Sequence, residues 1–212
     1  MPLIQRLIAD SQQMGVPLSD SEASTLLSLL DELEKWNRSF NLTAIRTREQ
    51  MITHHLLDSL SVHPDLQGST VADVGTGAGF PGLPLAVVNR DRRFALIDSN
   101  GKKVRFVSHA ARTLGLDNVE AVHARVETLG AGKHFDVVTS RAFAGLPDML
   151  DCVAPLCNSQ TRVLAMKGKW PQQEVEAMPP DWKLVNSREV IVPGLNEARC
   201  VLTIARAHAA TA

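Results

Sequence analysis

The spacing of apolar residues changes near residue 70. Before it, Leu26, Leu29, Leu30 and Leu33 recur at helical spacing behind Ser19 and Glu22, a capping box, which predicts a packing helix from about Asp20 into the Trp36 region. Thr47 and Gln50 repeat that opening before Ile52, Leu56 and Leu60, four residues apart on one face. On a regular helix this spacing groups His54 with Asp58 and leaves His55 aside, in what reads as a buried polar junction. After Thr70 the pattern becomes short β-branched or apolar runs separated by helical stretches, as βαβ units of a parallel sheet require. Strands are predicted at Val71 to Val74, Phe94 to Ile97, Val119 to Val122, Phe135 to Thr139 and Val163 to Met166. Val104, Val107, Ala111 and Leu114 form one face of an intervening helix that stops at Gly115. Beyond Pro179-Pro180, Lys183 to Val192 and Arg199 to Ala205 predict a closing antiparallel hairpin. The expected organisation is a helical region over residues 1–69 and an α/β core over 70–212, forming one compact unit.

Composition narrows this picture. The 212 residues, 44% hydrophobic and 21% charged, suit one well-buried domain with a small appendage. A net charge of -1 excludes nucleic-acid binding through a global excess of Lys and Arg, so any such contact needs a local patch. Cys152, Cys157 and Cys200 show no paired spacing, which predicts free thiols and no metal site. Gln5, Arg6 and Asp10 interrupt the apolar N-terminus, and no stretch reaches the length of a membrane span. A soluble, cytoplasmic protein is expected.

Candidate chemistry sits at the predicted strand ends. In an open parallel sheet, ligands gather outside the carboxyl ends of the strands. Here those ends carry Gly75, Gly77 and Gly79, then Asp98, then Arg125 and Glu127, then Ser140 and Arg141, then Lys167 and Lys169. Glycines let the backbone approach a ligand closely, and a helix starting near Pro81 to Pro84 would offer free N–H groups to an anion. Asp98, 25 positions after Asp73, stands where an acid accepts hydrogen bonds from a ribose. These features fit NAD and S-adenosylmethionine alike. After the fifth strand only about 45 residues remain, too few for the second mononucleotide-binding half of a dehydrogenase. S-adenosylmethionine is therefore the favoured cofactor, and the fold class is α/β, a Rossmann-like seven-stranded class I methyltransferase sheet.

Trp36-Asn37, Phe40-Asn41-Leu42-Thr43, His54-His55-Leu56-Leu57-Asp58-Ser59-Leu60 and Asp73-Val-Gly-Thr-Gly-Ala-Gly-Phe-Pro-Gly-Leu-Pro-Leu85 then stand out together. With Leu96-Ile97-Asp98-Ser99, Arg125-Val126-Glu127, Ser140-Arg141-Ala142-Phe143 and Lys167-Gly168, the chain resembles the bacterial small-subunit ribosomal RNA methyltransferase G family, also called glucose-inhibited division protein B. The resemblance implies methyl transfer to N7 of one guanine, expected at position 527, of 16S ribosomal RNA. It implies that the substrate is met within the small ribosomal subunit or an assembly intermediate, by a monomer. It further implies that Gly75 and Phe80 line the cofactor pocket, that Val126 and Glu127 meet the adenosine end, and that Arg141 completes the site. Gly77 and Asp98 follow from the fold argument. Phe80 departs modestly, since an aliphatic residue also occurs there in relatives.

Guanine N7 presents a lone pair, so its methylation needs no general base. The sequence after the fourth strand, Ser-Arg-Ala-Phe, lacks the Asp- or Asn-Pro-Pro-aromatic motif of amino-group methyltransferases, and no Pro-Cys pair suggests a covalent route. Arg141 and Lys167 are read as substrate-positioning residues for guanine O6 or phosphate, with the methionine carboxylate as an alternative partner for Arg141. Two basic groups are candidate RNA contacts: Arg90, Arg92, Arg93, Lys102, Lys103, Arg105 and Arg112, then Arg46 and Arg48. A methyltransferase for another RNA or a protein, and a non-catalytic S-adenosylmethionine-binding regulatory module, remain the alternatives.

Overall fold

A computed structural model describes residues 2–129, 132–141, 143 and 145–207. Ala142 of the Ser-Arg-Ala-Phe motif and the last five positions of the expected core lie outside the described residues. Helix α1 (Leu3–Gln13) is followed by α2 (Asp20–Phe40), whose Ser19 and Glu22 form both halves of the capping box. Leu26, Leu29, Leu30 and Leu33 of α2 are completely buried, and truncating any one to Ala would cost about 2–5 kcal/mol. Asn41, in the left-handed region at φ 48°, ends the helix.

The next helical stretch departs from the regular spacing. It begins as α3 (Arg48–Met51), widens into a π segment over Ile52–Leu57, and ends as α4 (Asp58–Leu60). The wider turn rotates His55 inward, so the expectation that only His54 accompanies Asp58 is corrected: all three residues line one cavity.

The described residues form a seven-stranded sheet in the order β3-β2-β1-β4-β5-β7-β6. Its strands are β1 (Thr70–Val74), β2 (Arg93–Asp98), β3 (Val119–His123), β4 (Val137–Ser140), β5 (Arg162–Lys167), β6 (Trp182–Val190) and β7 (Arg199–Arg206). The first five run parallel, while β7 lies antiparallel between β5 and β6. Helices α5 (Gly82–Val87), α6 (Gly101–Thr113), α7 (Leu146–Val153) and α8 (Gln172–Glu176) complete the layers. Side chains alternate across the sheet: Val71, Phe94 and Leu96 face one core, and Ala72, Val74, Ala95 and Ile97 face the other. Burial on both faces explains why these strands read as nearly continuous apolar runs. The first core also contains Leu7, Leu26 and Leu57, so the N-terminal helices pack directly on the sheet.

Sequence order reverses between β1 and β4, because the chain leaves β1 toward β2 and β3 but returns to β4 and β5 on the other side. The loops leaving these two strands diverge there and open a crevice. Ser140 closes its floor by donating its hydroxyl to the Val74 carbonyl at 2.7 Å.

Candidate active site

The loop after β1 is anchored before it turns. Gly75 and Thr76 both donate their N–H groups to the Ile97 carbonyl, at 2.9 and 3.1 Å, and Gly75 and Gly77 then take φ values of 68° and 61°. A Cβ on Gly77 would meet nothing closer than 4.0 Å, so the loop presents bare backbone to open space. Gly82 behaves oppositely: a Cβ there would fall 2.8 Å from Asp73 Oδ2 and 2.7 Å from Leu96.

Asp73 and Asp98 hold this loop from beneath and beside. Asp73 Oδ2 accepts from Thr76 Oγ1 at 2.6 Å and from the Gly82 N–H at 2.8 Å, and burial pushes its carboxyl up to about 6. Asp98 Oδ2 accepts from the Gly77 N–H at 2.9 Å, and its Oδ1 accepts from the Asn100 N–H at 2.8 Å. Asn100, rather than Asp98, caps α6. The expected free donors at the start of α5 are not there: Gly82 donates to Asp73, and Leu83 donates to the Gly79 carbonyl at 2.7 Å. The short turn directs both groups inward, which leaves ligand contact to the loop itself.

Opposite the loop stands a polar chain that starts on α2. Buried Asn37 exchanges two hydrogen bonds of 3.0 Å with the Thr43 backbone, and Thr43 Oγ1 lies 2.9 Å from His55 Nε2. The His55 ring stacks on Phe80, with centroids 4.6 Å apart and planes 16° from parallel. Burial, with Arg141 and His54 nearby, lowers the His55 pKa to about 4, so its imidazole is neutral at physiological pH.

Asp58, only 3% exposed, joins two guanidinium groups: Oδ2 accepts from Arg141 Nη1 and Oδ1 from Arg199 Nε, each at 3.0 Å. The same Arg141 nitrogen donates to the His54 carbonyl at 3.0 Å. A carboxylate this deep is stable only when paired, and here it fixes both arginines. Lys167 meets Glu174 at 2.8 Å and donates to the Phe143 carbonyl at 3.4 Å, so its charge is already matched by a carboxylate.

Two cavities meet at His55 and Arg141. One, of about 260 Å³, is lined by Gly75, Gly77, Phe80 and Thr43; the other, of about 350 Å³, by Asp58, Lys167, Gly168 and Arg199. Sequence-predicted Gly75, Gly77, Phe80 and Arg141 thus come together, with Asp98 tied to them through Gly77. Val126 is buried in the second core and Glu127 is exposed at the end of β3, outside the lining of both cavities. Arg199 was not legible in the sequence and Thr43 stood only within a motif without a role, because only the tertiary fold brings them to Asp58 and His55.

The basic groups divide differently from their order in the sequence. Arg90 and Arg92 lie before β2 and Arg93 opens it, at the amino end of the sheet, while Lys102 and Lys103 open α6 at the carboxyl end. At about 3.3 Å per residue, the strand between them separates the groups by roughly 20 Å, so they are not one surface. Arg48 is held by Asp31, Glu34 and the Leu27 carbonyl at 2.9, 3.2 and 2.8 Å, a structural set that removes it from the second group. Cys152, Cys157 and Cys200 are unpaired, and burial pushes the Cys157 thiol up to about 12. Among the described residues no cluster of three His, Cys, Asp or Glu side chains is arranged to hold a metal, and no helix is long and apolar enough to cross a membrane.

The same fold recurs in known structures. A methyltransferase from Aquifex aeolicus described as SAM-dependent superposes with a TM-score of 0.59 at 18% identity, covering 84% of this chain and 98% of that one. TrmN from Thermus thermophilus gives a TM-score of 0.56 at 20% identity over 81% of this chain and 53% of its own. These likenesses concern the fold. Sequence similarity is much closer to proteins named ribosomal RNA small subunit methyltransferase G: that of Psychromonas ingrahamii is 43% identical over 97% of this chain and 100% of its own length. That of Stutzerimonas stutzeri is 44% identical over 95% of both chains. A family model described as rRNA small subunit methyltransferase G matches residues 22–203, and the chain belongs to that family.

Proposed function

We propose that this chain transfers a methyl group from S-adenosylmethionine to N7 of one guanine, expected at position 527, of 16S ribosomal RNA. The coarser activity, S-adenosylmethionine-dependent methylation of ribosomal RNA, follows from family membership. The N7 assignment comes from the family resemblance, and the crevice supports it in that each buried carboxylate is held by partners, Asp73 through Oδ2 alone. Asp58 is bound by two guanidiniums, Asp98 by two backbone N–H groups and Asp73 by Thr76 and Gly82. His55 is stacked on Phe80, held near Thr43, and too acidic at about 4 to collect a proton at neutral pH. An exocyclic amine or a hydroxyl would have to lose a proton, whereas N7 has none to lose.

The residues fit the cofactor. Gly75 and Gly77 offer bare backbone, Phe80 and His55 give an apolar wall, and the lone pairs of Asp98 beyond its two N–H bonds suit ribose hydroxyls. Val126 and Glu127 would meet the adenosine end and Arg141 the methionine end. Bound S-adenosylmethionine supplies a sulfonium methyl that the N7 lone pair can accept directly. Arg141, oriented by Asp58 and His54, would position the target or the methionine carboxylate, and Lys167 would hold the Gly168 loop through Glu174 while lending positive potential toward phosphate. The chain's contribution is then alignment and exclusion of water rather than proton transfer.

The substrate is proposed to be the small subunit or an assembly intermediate, met by a cytoplasmic monomer. Transfer of labelled methyl groups to small subunits lacking the modification, naked 16S RNA, transfer RNA and protein extract checks the reading. Label confined to 16S RNA is expected; label in transfer RNA or protein alone would overturn it.

A further inference from the structure

The chain has six Phe and three Trp. Among the described residues only two of these nine side chains are exposed: Phe40 at 42% and Trp170 at 45%. One lies close in the chain to the glycine-loop cavity and the other adjoins the Lys167 cavity. Phe40 ends α2, two residues before Leu42, which lines the glycine-loop cavity with Thr43. One side of its ring leans on Trp36, with centroids 5.3 Å apart. Trp170 follows β5, two residues past Gly168, and lines a groove of about 510 Å³ that shares Gly168 and Arg199 with the Lys167 cavity. Its indole N–H donates to Gln172 Oε1 at 2.8 Å, which orients the ring.

Cations lie near each ring in the chain or over the glycine loop. Arg46 reaches Asn41 Oδ1, next to Phe40, at 3.5 Å, and Lys103 Nζ comes within 4.0 Å of the space above Gly77. Exposed Lys169 precedes Trp170. Aromatic faces interleaved with basic side chains grip unpaired nucleic acid, because every base has a stacking face and every nucleotide a phosphate. An enzyme that works on a base edge must draw that base out of its stack, which leaves neighbouring bases without a partner.

We propose that Phe40 and Trp170 are stacking platforms for the nucleotides flanking the target base, so that the enzyme takes an unpaired RNA segment and not a duplex. This rests on the RNA reading above, and its test separates the two. Full-length Phe40→Ala, Trp170→Ala, Trp170→Phe and, as a remote control, Leu3→Ala are assayed for methyl transfer to small subunits lacking the modification. In parallel, tryptophan fluorescence follows binding of a synthetic RNA carrying the target guanine, unpaired or annealed to its complement.

Each Ala variant is expected to raise KM for RNA roughly 5- to 100-fold, the range for loss of one base stack, while kcat and cofactor Kd change little. Trp170→Phe should recover most of the loss, and Leu3→Ala should match the parent. The unpaired RNA should quench the parent's fluorescence more strongly than that of Trp170→Ala, in which Trp36 beside Phe40 still reports, and the duplex should not quench. Unchanged KM in both Ala variants, equal defects in Trp170→Phe and Trp170→Ala, or equal quenching by duplex would overturn the proposal, as would losses confined to kcat or cofactor affinity. Failure of the parent to methylate any ribosomal RNA would instead sink the functional reading, and the quenching titration would still decide the stacking.

Discussion

The two ends of the sheet differ in a way that cavity size alone would misjudge. At the amino end, Arg93, Asp117, Asn118 and His134 surround a cavity of about 840 Å³, larger than either cavity at the carboxyl end. Yet its charged side chains Arg90, Asp91, Arg93 and Asp117 are exposed, as ordinary solvated loops allow, with Arg92 alone half-buried among them. The smaller carboxyl-end crevice instead buries Asp58, Asp73 and Asp98 and fixes each through named partners. Burying a charge is costly unless it is bonded, so this end marks where the fold has been committed to chemistry. The Ser69–Thr70 corner at the amino end has a simpler device: Asp136 accepts both backbone N–H groups, at 2.7 and 2.9 Å, and these bonds hold its carboxyl below the usual range.

Substitutions at the two ends should therefore differ sharply. The largest effect is expected from Gly75→Asp, which puts a side chain on a backbone at φ 68° and adds a third carboxylate beside Asp73 and Asp98. Calorimetry should show cofactor affinity falling by roughly 100-fold or more, about 3 kcal/mol of strain and repulsion; unchanged affinity would mean that the loop holds no cofactor. Asp58→Ala comes next. It leaves Arg141 without a carboxylate and Arg199 with Glu197 alone, and denaturant unfolding should register a loss of about 3 kcal/mol, together with lost turnover.

A smaller effect concerns pH. His55 titrates near 6.5 when unfolded and near 4 in the fold, so between those values the unfolded chain binds more protons and stability falls as pH drops. The contribution is absent above pH 6.5 and complete below 4, on the order of 3 kcal/mol. Asp73, raised from 3.8 to about 6, works oppositely: there the folded protein binds more protons, and stability rises as pH falls. Comparing the parent with His55→Gln isolates the histidine, and the parent should lose stability relative to the variant on acidification. Parallel curves would contradict a buried neutral imidazole. The smallest effect is expected from Arg93→Ala at the amino end, within about 0.5 kcal/mol in stability and with turnover on ribosomal RNA unchanged. A large loss of RNA affinity there would erase the distinction between the two ends.

Much of this molecule was legible in its sequence, and the rest was hidden for physical reasons. The parallel strands announced themselves because residues such as Val71, Phe94 and Val163 are buried whichever face they take. Gly75, Gly77, Asp98 and Arg141 were legible because chain order places them at strand ends. The position of His55 was not, since a regular period of 3.6 residues does not foresee the π turn over Ile52–Leu57. Nor was the pairing of Asp58 with Arg199, which joins positions 141 residues apart. The basic residues around β2 looked like one cluster because sequence proximity does not reveal a strand running between them.

The most direct test of the central claim is the identity of the methylated atom. Small subunits lacking the modification, treated with the protein and labelled S-adenosylmethionine and then digested to nucleosides, should yield the label as 7-methylguanosine, at a rate nearly flat from neutral to mildly alkaline pH. Label on an exocyclic amino group, or a rate that climbs with the ionisation of a single base, would contradict a methyl transfer that needs no general base.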